Sequence, residues 1–179
     1  EHSESGPGVS RRGFLAASAA AGYVAAGDVI RVGMIGCGGR NTEAGGQALT
    51  ADKGARLVAM ADIVLDRIQE TRSALKVKFS DQVAVDNDHC FAGFEGYRKV
   101  IESSDVVLIA NAAKFHPMHM MAAIQAGKHV FVEKPHAIDP AGIKVVKAAC
   151  ELARKKNLSV LSGLQSRYTP MYREAIERV

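Results

Sequence analysis

Residues 29–41, VIRVGMIGCGGRN, constrain the rest of this chain more than any other stretch. An apolar, β-branched run ends in Gly36, Gly38 and Gly39, and a polar, helix-permissive segment follows. That order reads as a buried parallel strand, a tight turn and a helix N-terminus. Glycines let the backbone turn sharply and let a pyrophosphate approach the amide N–H groups, where the helix dipole favours negative charge. The dinucleotide-binding pattern is Gly-x-Gly-x-x-Gly, and its third glycine position holds Asn41 here. A glycine motif alone also describes ordinary turns, so the reading depends on what lies downstream.

Residues 40–53 place Ala44, Ala48 and Leu49 on one helical face. Gly45 and Gly46 each weaken a helix by about 1 kcal/mol, and either permit close packing on the sheet or break the helix. Residues 56–62, RLVAMAD, form a second apolar run ending in an acid. At the end of a second strand, Asp62 would accept hydrogen bonds from both adenosine ribose hydroxyls; the alternative is a cap on the next helix. It follows Gly36 by 26 residues, against roughly 20 in the pattern. An acid there repels a 2′-phosphate, and no basic residue follows until Arg67, so NAD fits better than NADP.

Residues 64–76 have a helical period, with Leu65, Ile68 and Leu75 facing in. Residues 78–91 read as a polar, irregular loop. Asp86, Asp88, His89 and Cys90 lie close together there without any recognised metal-ligand spacing, so no metal site is expected. A short amphipathic helix over 94–101 turns Tyr97, Val100 and Ile101 inward. Residues 105–110, DVVLIA, are a compact buried strand, followed by the loop 111–117 and a helix over 118–126. Where the strand order reverses, that loop lines a ligand crevice. His116 is expected to face cofactor or substrate, and His119 to be helix surface or packing. Residues 126–132 form a turn and another strand with Glu133, Lys134 and Pro135 at its end. A long helix over 140–156 precedes a sixth strand at 158–164, which places Gln165 and Arg167 at the crevice. Pro170 suits the first turn of a further helix over 169–179.

At 179 residues and 47% hydrophobic, the chain supports one well-packed domain. A net charge of +4, with no basic block and no interleaved aromatics, gives nucleic-acid binding nothing specific. Cys37, Cys90 and Cys150 are far apart and read as free thiols. Residues 10–15, SRRGFL, precede an Ala-rich run at 16–26 and resemble a twin-arginine export signal; the alternative is an amphipathic helix packed on the domain. The run is too short for a stable membrane anchor. Opening on Glu1 rather than Met reads as an excerpt or a processed product. The expected division is 1–27 as export signal, 28–167 as dinucleotide-binding domain, and 168–179 as the start of a connection.

Taken together, VGMIGCGGR, the strand ending Ala61-Asp62, FHPMHMMAAIQAGKHVFVEKP, and GLQSRY at 163–168 resemble the Gfo/Idh/MocA family, that of glucose–fructose oxidoreductase and inositol dehydrogenase. The resemblance runs from residue 29 to the end. It implies a doubly wound α/β Rossmann sheet with strand order 3-2-1-4-5-6, and a second, α+β substrate domain that this chain does not include. It implies an NAD-dependent oxidoreductase acting on a sugar, polyol or derivative, homo-oligomeric at full length; the arginine pair, outside the resemblance, adds the expectation of export to the periplasm or cell surface. Lys134 matches the lysine that lies near the nicotinamide and the reacting hydroxyl, where it can polarise that hydroxyl or assist its proton transfer. Glu133 would contact the cofactor or fix Lys134. Arg40 and Asn41 match positions lining the pyrophosphate, and Asn111 and Ala112 stand where many members carry Thr-Pro. Two alternatives remain open: the family's NAD-dependent glycoside hydrolases, and a redox-inactive dinucleotide-binding or assembly domain.

Overall fold

Six short apolar runs pair into a parallel sheet ordered β3-β2-β1-β4-β5-β6, in a computed structural model that describes residues 29–179. The strands are β1 (Ile30–Ile35), β2 (Ala55–Asp62), β3 (Cys90–Ala92), β4 (Val106–Ile109), β5 (His129–Val132) and β6 (Val160–Ser162). Helices α1 (Gly39–Ala51) and α2 (Leu65–Lys78) connect the first three strands, and α3 (Gly96–Ser103), α4 (His116–Gln125) and α5 (Pro140–Lys155) connect the rest. A four-residue turn of helix, α6 (Gln165–Tyr168), and α7 (Pro170–Glu177) follow. The expected export signal lies outside the described residues.

A parallel sheet covered on both faces needs strands apolar on both faces, which is why β4 and the central parts of β1 and β2, past Arg31 and Arg56, read as apolar runs. Two cores result. Ala44, Leu49, Ile68 and Leu75 of α1 and α2 pack with Met34, Leu57 and Met60 on one face. Tyr97, Val100, Met120, Ile124 and Ala153 of α3, α4 and α5 pack with Ile35, Ile109 and Val132 on the other. The chain moves outward from β1 through β2 to β3, then returns to β4 beside β1 and moves outward the other way. Loops after β1 and β4 therefore diverge to opposite faces and leave a crevice at the carboxyl edge.

Two local expectations are corrected. Leu65 is 43% exposed, because α2 begins at that residue and its side chain lies beyond the sheet edge; Thr71 joins Ile68 and Leu75 in the core. The stretch 78–91 is polar but not wholly irregular: Val83 bridges Leu57, Val83 and Val85 are buried, and β3 starts at Cys90. Helix α1 runs unbroken through Gly45 and Gly46. Among the described residues, no group of three or more His, Cys, Asp or Glu is placed to hold a metal ion, and no helix is long and apolar enough to cross a membrane.

Candidate functional site

The loop after β1 is fixed by its neighbours. Gly36 adopts φ +87°, a left-handed conformation that costs other residues energy, and an added Cβ would stand 2.7 Å from Asn111 of the β4 loop. Its N–H donates to the Ala61 carbonyl at 2.7 Å. The next amide, Cys37 N–H, donates to Asp62 Oδ2 at 2.8 Å, while Asp62 Oδ1 accepts from Val64 N–H at 3.1 Å. Thr71 reaches from α2 to donate to the Cys37 carbonyl at 2.8 Å. Gly38 caps α1 without a side chain, and added Cβ atoms at Gly38 and Gly39 would meet nothing within 4 Å. The first N–H groups of α1 thus face open space with no side-chain cap, a geometry that suits a phosphate.

Asn41 explains how the departure from glycine is accommodated. It is fully buried, and its Nδ2 donates to the carbonyls of Ile35, Gly36 and Leu108 at 3.1, 2.7 and 3.3 Å. The side chain turns under the loop and ties β1 to β4. It therefore does not line the pyrophosphate cradle, which corrects that assignment.

A crevice of about 420 Å³ opens between the ends of β1, β2 and β4. Gly36, Gly38 and Asp62 line one side, and Asn111 and Ala112 the other. Its apolar wall comes from Phe94, Tyr97, Phe115 and His119. The His119 ring lies 4.4 Å from that of Tyr97 and stacks on Phe115 at 5.9 Å. Burial, with a smaller contribution from His116, pushes His119 down to about 4, so the imidazole is neutral at pH 7. Its Nδ1 lies 3.2 Å from Asn111 Nδ2 and accepts that amide's hydrogen. Asn111 Oδ1 is buried with no partner in the protein, an acceptor at the crevice. Burial, aided by the Asp62 charge, raises the Cys37 thiol far above its ordinary range, so it is an inert packing group.

His116 departs from the place expected of it, whereas His119 packs as expected, between Tyr97 and Phe115, and lines the crevice as well. His116 is 1% exposed, with Nε2 2.9 Å from the Asn111 carbonyl and Nδ1 2.9 Å from the Pro135 carbonyl. It sits behind the crevice and links the β4 loop to the β5 loop. The physical reason is the helix start: α4 begins at His116 rather than two residues later, so this ring lies in the first turn, directed at the β5 end.

Glu133, Lys134 and Pro135 follow β5. Glu133 is buried and accepts from Arg40 Nε at 2.7 Å and from the Lys134 backbone N–H at 3.1 Å. Arg40 also pairs with Glu43 at 3.4 Å. Lys134 is exposed, beside rather than inside the crevice. Gln165 and Arg167 lie in α6 past β6, exposed and not among the crevice walls, because the chain coils into a short helix there instead of continuing as strand. The aromatic wall and the Arg40–Glu133 pair were not apparent from the sequence. The only signal for the wall was the inward period of the short helix carrying Tyr97.

The Gfo/Idh/MocA model, described as an oxidoreductase family with an NAD-binding Rossmann fold, matches residues 30–163. Inositol 2-dehydrogenase 3 of Saccharopolyspora erythraea is 34% identical over 153 residues, covering 84% of this chain and 40% of that protein. Glycosyl hydrolase family 109 protein 1 of Bacteroides fragilis is 32% identical over 114 residues, covering 62% of this chain and 23% of its own length. The fold matches that of scyllo-inositol dehydrogenase from Lactobacillus casei, solved with NAD(H) and scyllo-inositol, at a TM-score of 0.66 and 23% identity, over 84% of this chain and 40% of that one. The chain spans about two fifths of the length of the inositol dehydrogenases it matches.

Proposed function

The chain belongs to the Gfo/Idh/MocA oxidoreductase family, with an NAD-binding Rossmann fold, and from that premise we propose that it is the cofactor-holding part of an NAD-dependent dehydrogenase of a sugar, polyol or derivative. The observation that carries the reading is the convergence on one crevice of the Gly36 turn, the uncapped start of α1, Asp62 and the orphaned Asn111 acceptor. The site fits a dinucleotide: the α1 amides and the open faces of Gly38 and Gly39 take the pyrophosphate, and Asp62 the ribose. The apolar wall of Phe94, Tyr97 and Phe115 takes the adenine. When bound, the nicotinamide supplies the hydride acceptor. Lys134, exposed at the next strand end, orients the substrate hydroxyl and relays its proton. His116 acts behind it by holding the Pro135 carbonyl.

The test begins with the purified protein: denature it, look for released NAD, and titrate what remains with NADH. Sugars and inositols are then screened for absorbance at the reduced nicotinamide band. Failure to bind any dinucleotide overturns the reading. The similarity to a family 109 glycosyl hydrolase supports a second reading, in which glycosides are cleaved with no net nicotinamide reduction; a chromogenic glycoside distinguishes the two. We also propose export through the twin-arginine route. Normal export of a variant carrying both Arg11→Lys and Arg12→Lys would refute it.

A further inference from the structure

Two strand ends and the start of α1 meet at one buried carboxylate. Glu133 is 4% exposed, although Lys134 beside it is exposed. Its Oε1 accepts from Arg40 Nε and lies 2.6 Å from an Arg40 Nη, and its Oε2 accepts from the Lys134 N–H. A Cβ at Gly163 would overlap the same carboxylate, so the end of β6 packs directly over it. Arg40 stands one residue past Gly39, in the turn of α1 whose N–H groups face the crevice. Its side chain is 40% exposed, with a buried anion on one side and solvent on the other. A carboxylate stripped of water depends on its cation far more than a surface one does. The guanidinium therefore connects two places that the sequence separates widely: the pyrophosphate cradle and the backbone of Lys134.

We propose that Arg40 is the positioning residue that couples the pyrophosphate loop to Lys134. A pyrophosphate on the α1 N-terminus and the Glu133 carboxylate draw on one guanidinium, so filling the loop resets Glu133 and, through it, the Lys134 peptide. This rests on the dinucleotide reading of the crevice. The coupling is reciprocal: what the pyrophosphate gains from Arg40 depends on the charge of Glu133. A guanidinium serving only as phosphate counter-charge would leave Lys134 indifferent to the loop.

ADP-ribose separates these cases, since it carries the pyrophosphate but no nicotinamide to touch Lys134. In the ¹⁵N-labelled chain, ADP-ribose is expected to shift the amide signals of Gly38 and Gly39 and, in the same titration, those of Lys134 and Gly163. Arg40→Met abolishes the second pair of shifts and weakens the first, and Arg40→Lys is intermediate. Glu133→Gln frees the guanidinium and tightens ADP-ribose binding about fivefold. Lys134 and Gly163 signals that stay put while Gly38 and Gly39 shift, or that move equally in Arg40→Met, overturn the proposal. Should ADP-ribose shift neither Gly38 nor Gly39, the dinucleotide reading fails instead. The unliganded variants then decide: Lys134 and Gly163 signals displaced in Arg40→Lys and Arg40→Met support the link, and unmoved ones overturn it.

Discussion

Around β1, β2 and β4 the loops are held by backbone and buried-amide hydrogen bonds and walled by aromatic rings, whereas past the backbone bonds of Glu133 and Gly163 the ends of β5 and β6 are held by side-chain tethers and lie largely exposed. On the first side Gly36, Cys37 and Asn41 each bond a neighbouring strand or its loop and shape the crevice. On the second, Glu133 hangs on Arg40, Pro135 on His116, and His136 on Ser162 at 2.7 Å, while Lys134, Leu161, Leu164 and Tyr168 face solvent. The division is between loops tied directly to neighbouring strands and loop ends whose polar groups hang on side chains from other elements.

The sharpest way to break the comparison is Gly36→Val, which combines a left-handed φ with a clash against Asn111. It is expected to cost about 4 kcal/mol in urea denaturation and to abolish NADH binding. Asn41→Ala strips three buried carbonyls of a donor and is expected to cost about 3 kcal/mol, measured the same way. Asn41→Gly loses the same bonds, so it is expected to weaken NADH binding rather than tighten it.

Acid probes the wall. His119 is lowered to about 4 in the folded chain from an ordinary value of 6.5, so the unfolded chain binds its proton first. Stability attributable to this residue is intact above pH 6.5 and falls as pH drops from there to about 4, by about 3 kcal/mol. His119→Phe flattens that part of a stability–pH curve. Asp62→Asn keeps the size of the side chain but removes its charge, and if Asp62 holds the ribose as proposed, about a tenfold loss of NADH affinity is expected by calorimetry. At the tethered end, Lys134→Met is expected to cost the fold less than about 0.5 kcal/mol, because an exposed side chain has little packing to lose, and, on the proposed function, to abolish any sugar- or polyol-dependent nicotinamide reduction. A Lys134 variant that melts several degrees early would blur the division.

The order of the sheet was legible because each of its long strands is an apolar run ending at a polar or glycine signal. Gly36 and Asp62 were legible for the same reason, standing at such ends. β3 was not, since its ladder is three residues long and the stretch before it is polar. The place of His116 was not legible either: HxxH spacing gives a shared helix flank, while the residue at which α4 starts decides which ring meets the crevice. Asn41 stood in sequence as a match to positions lining the pyrophosphate, and only the three carbonyls around it reveal a brace.

By itself the sequence determined the periodic properties: which runs are buried on both faces, where the chain must turn, and which family it resembles. Those follow from local patterns of apolar and glycine residues. Only the tertiary structure decided the pairings, such as Arg40 with Glu133 across 93 positions of chain, or Asn41 with Leu108. A hydrogen bond between distant residues depends on where the sheet carries their backbones, and no spacing along one strand encodes that.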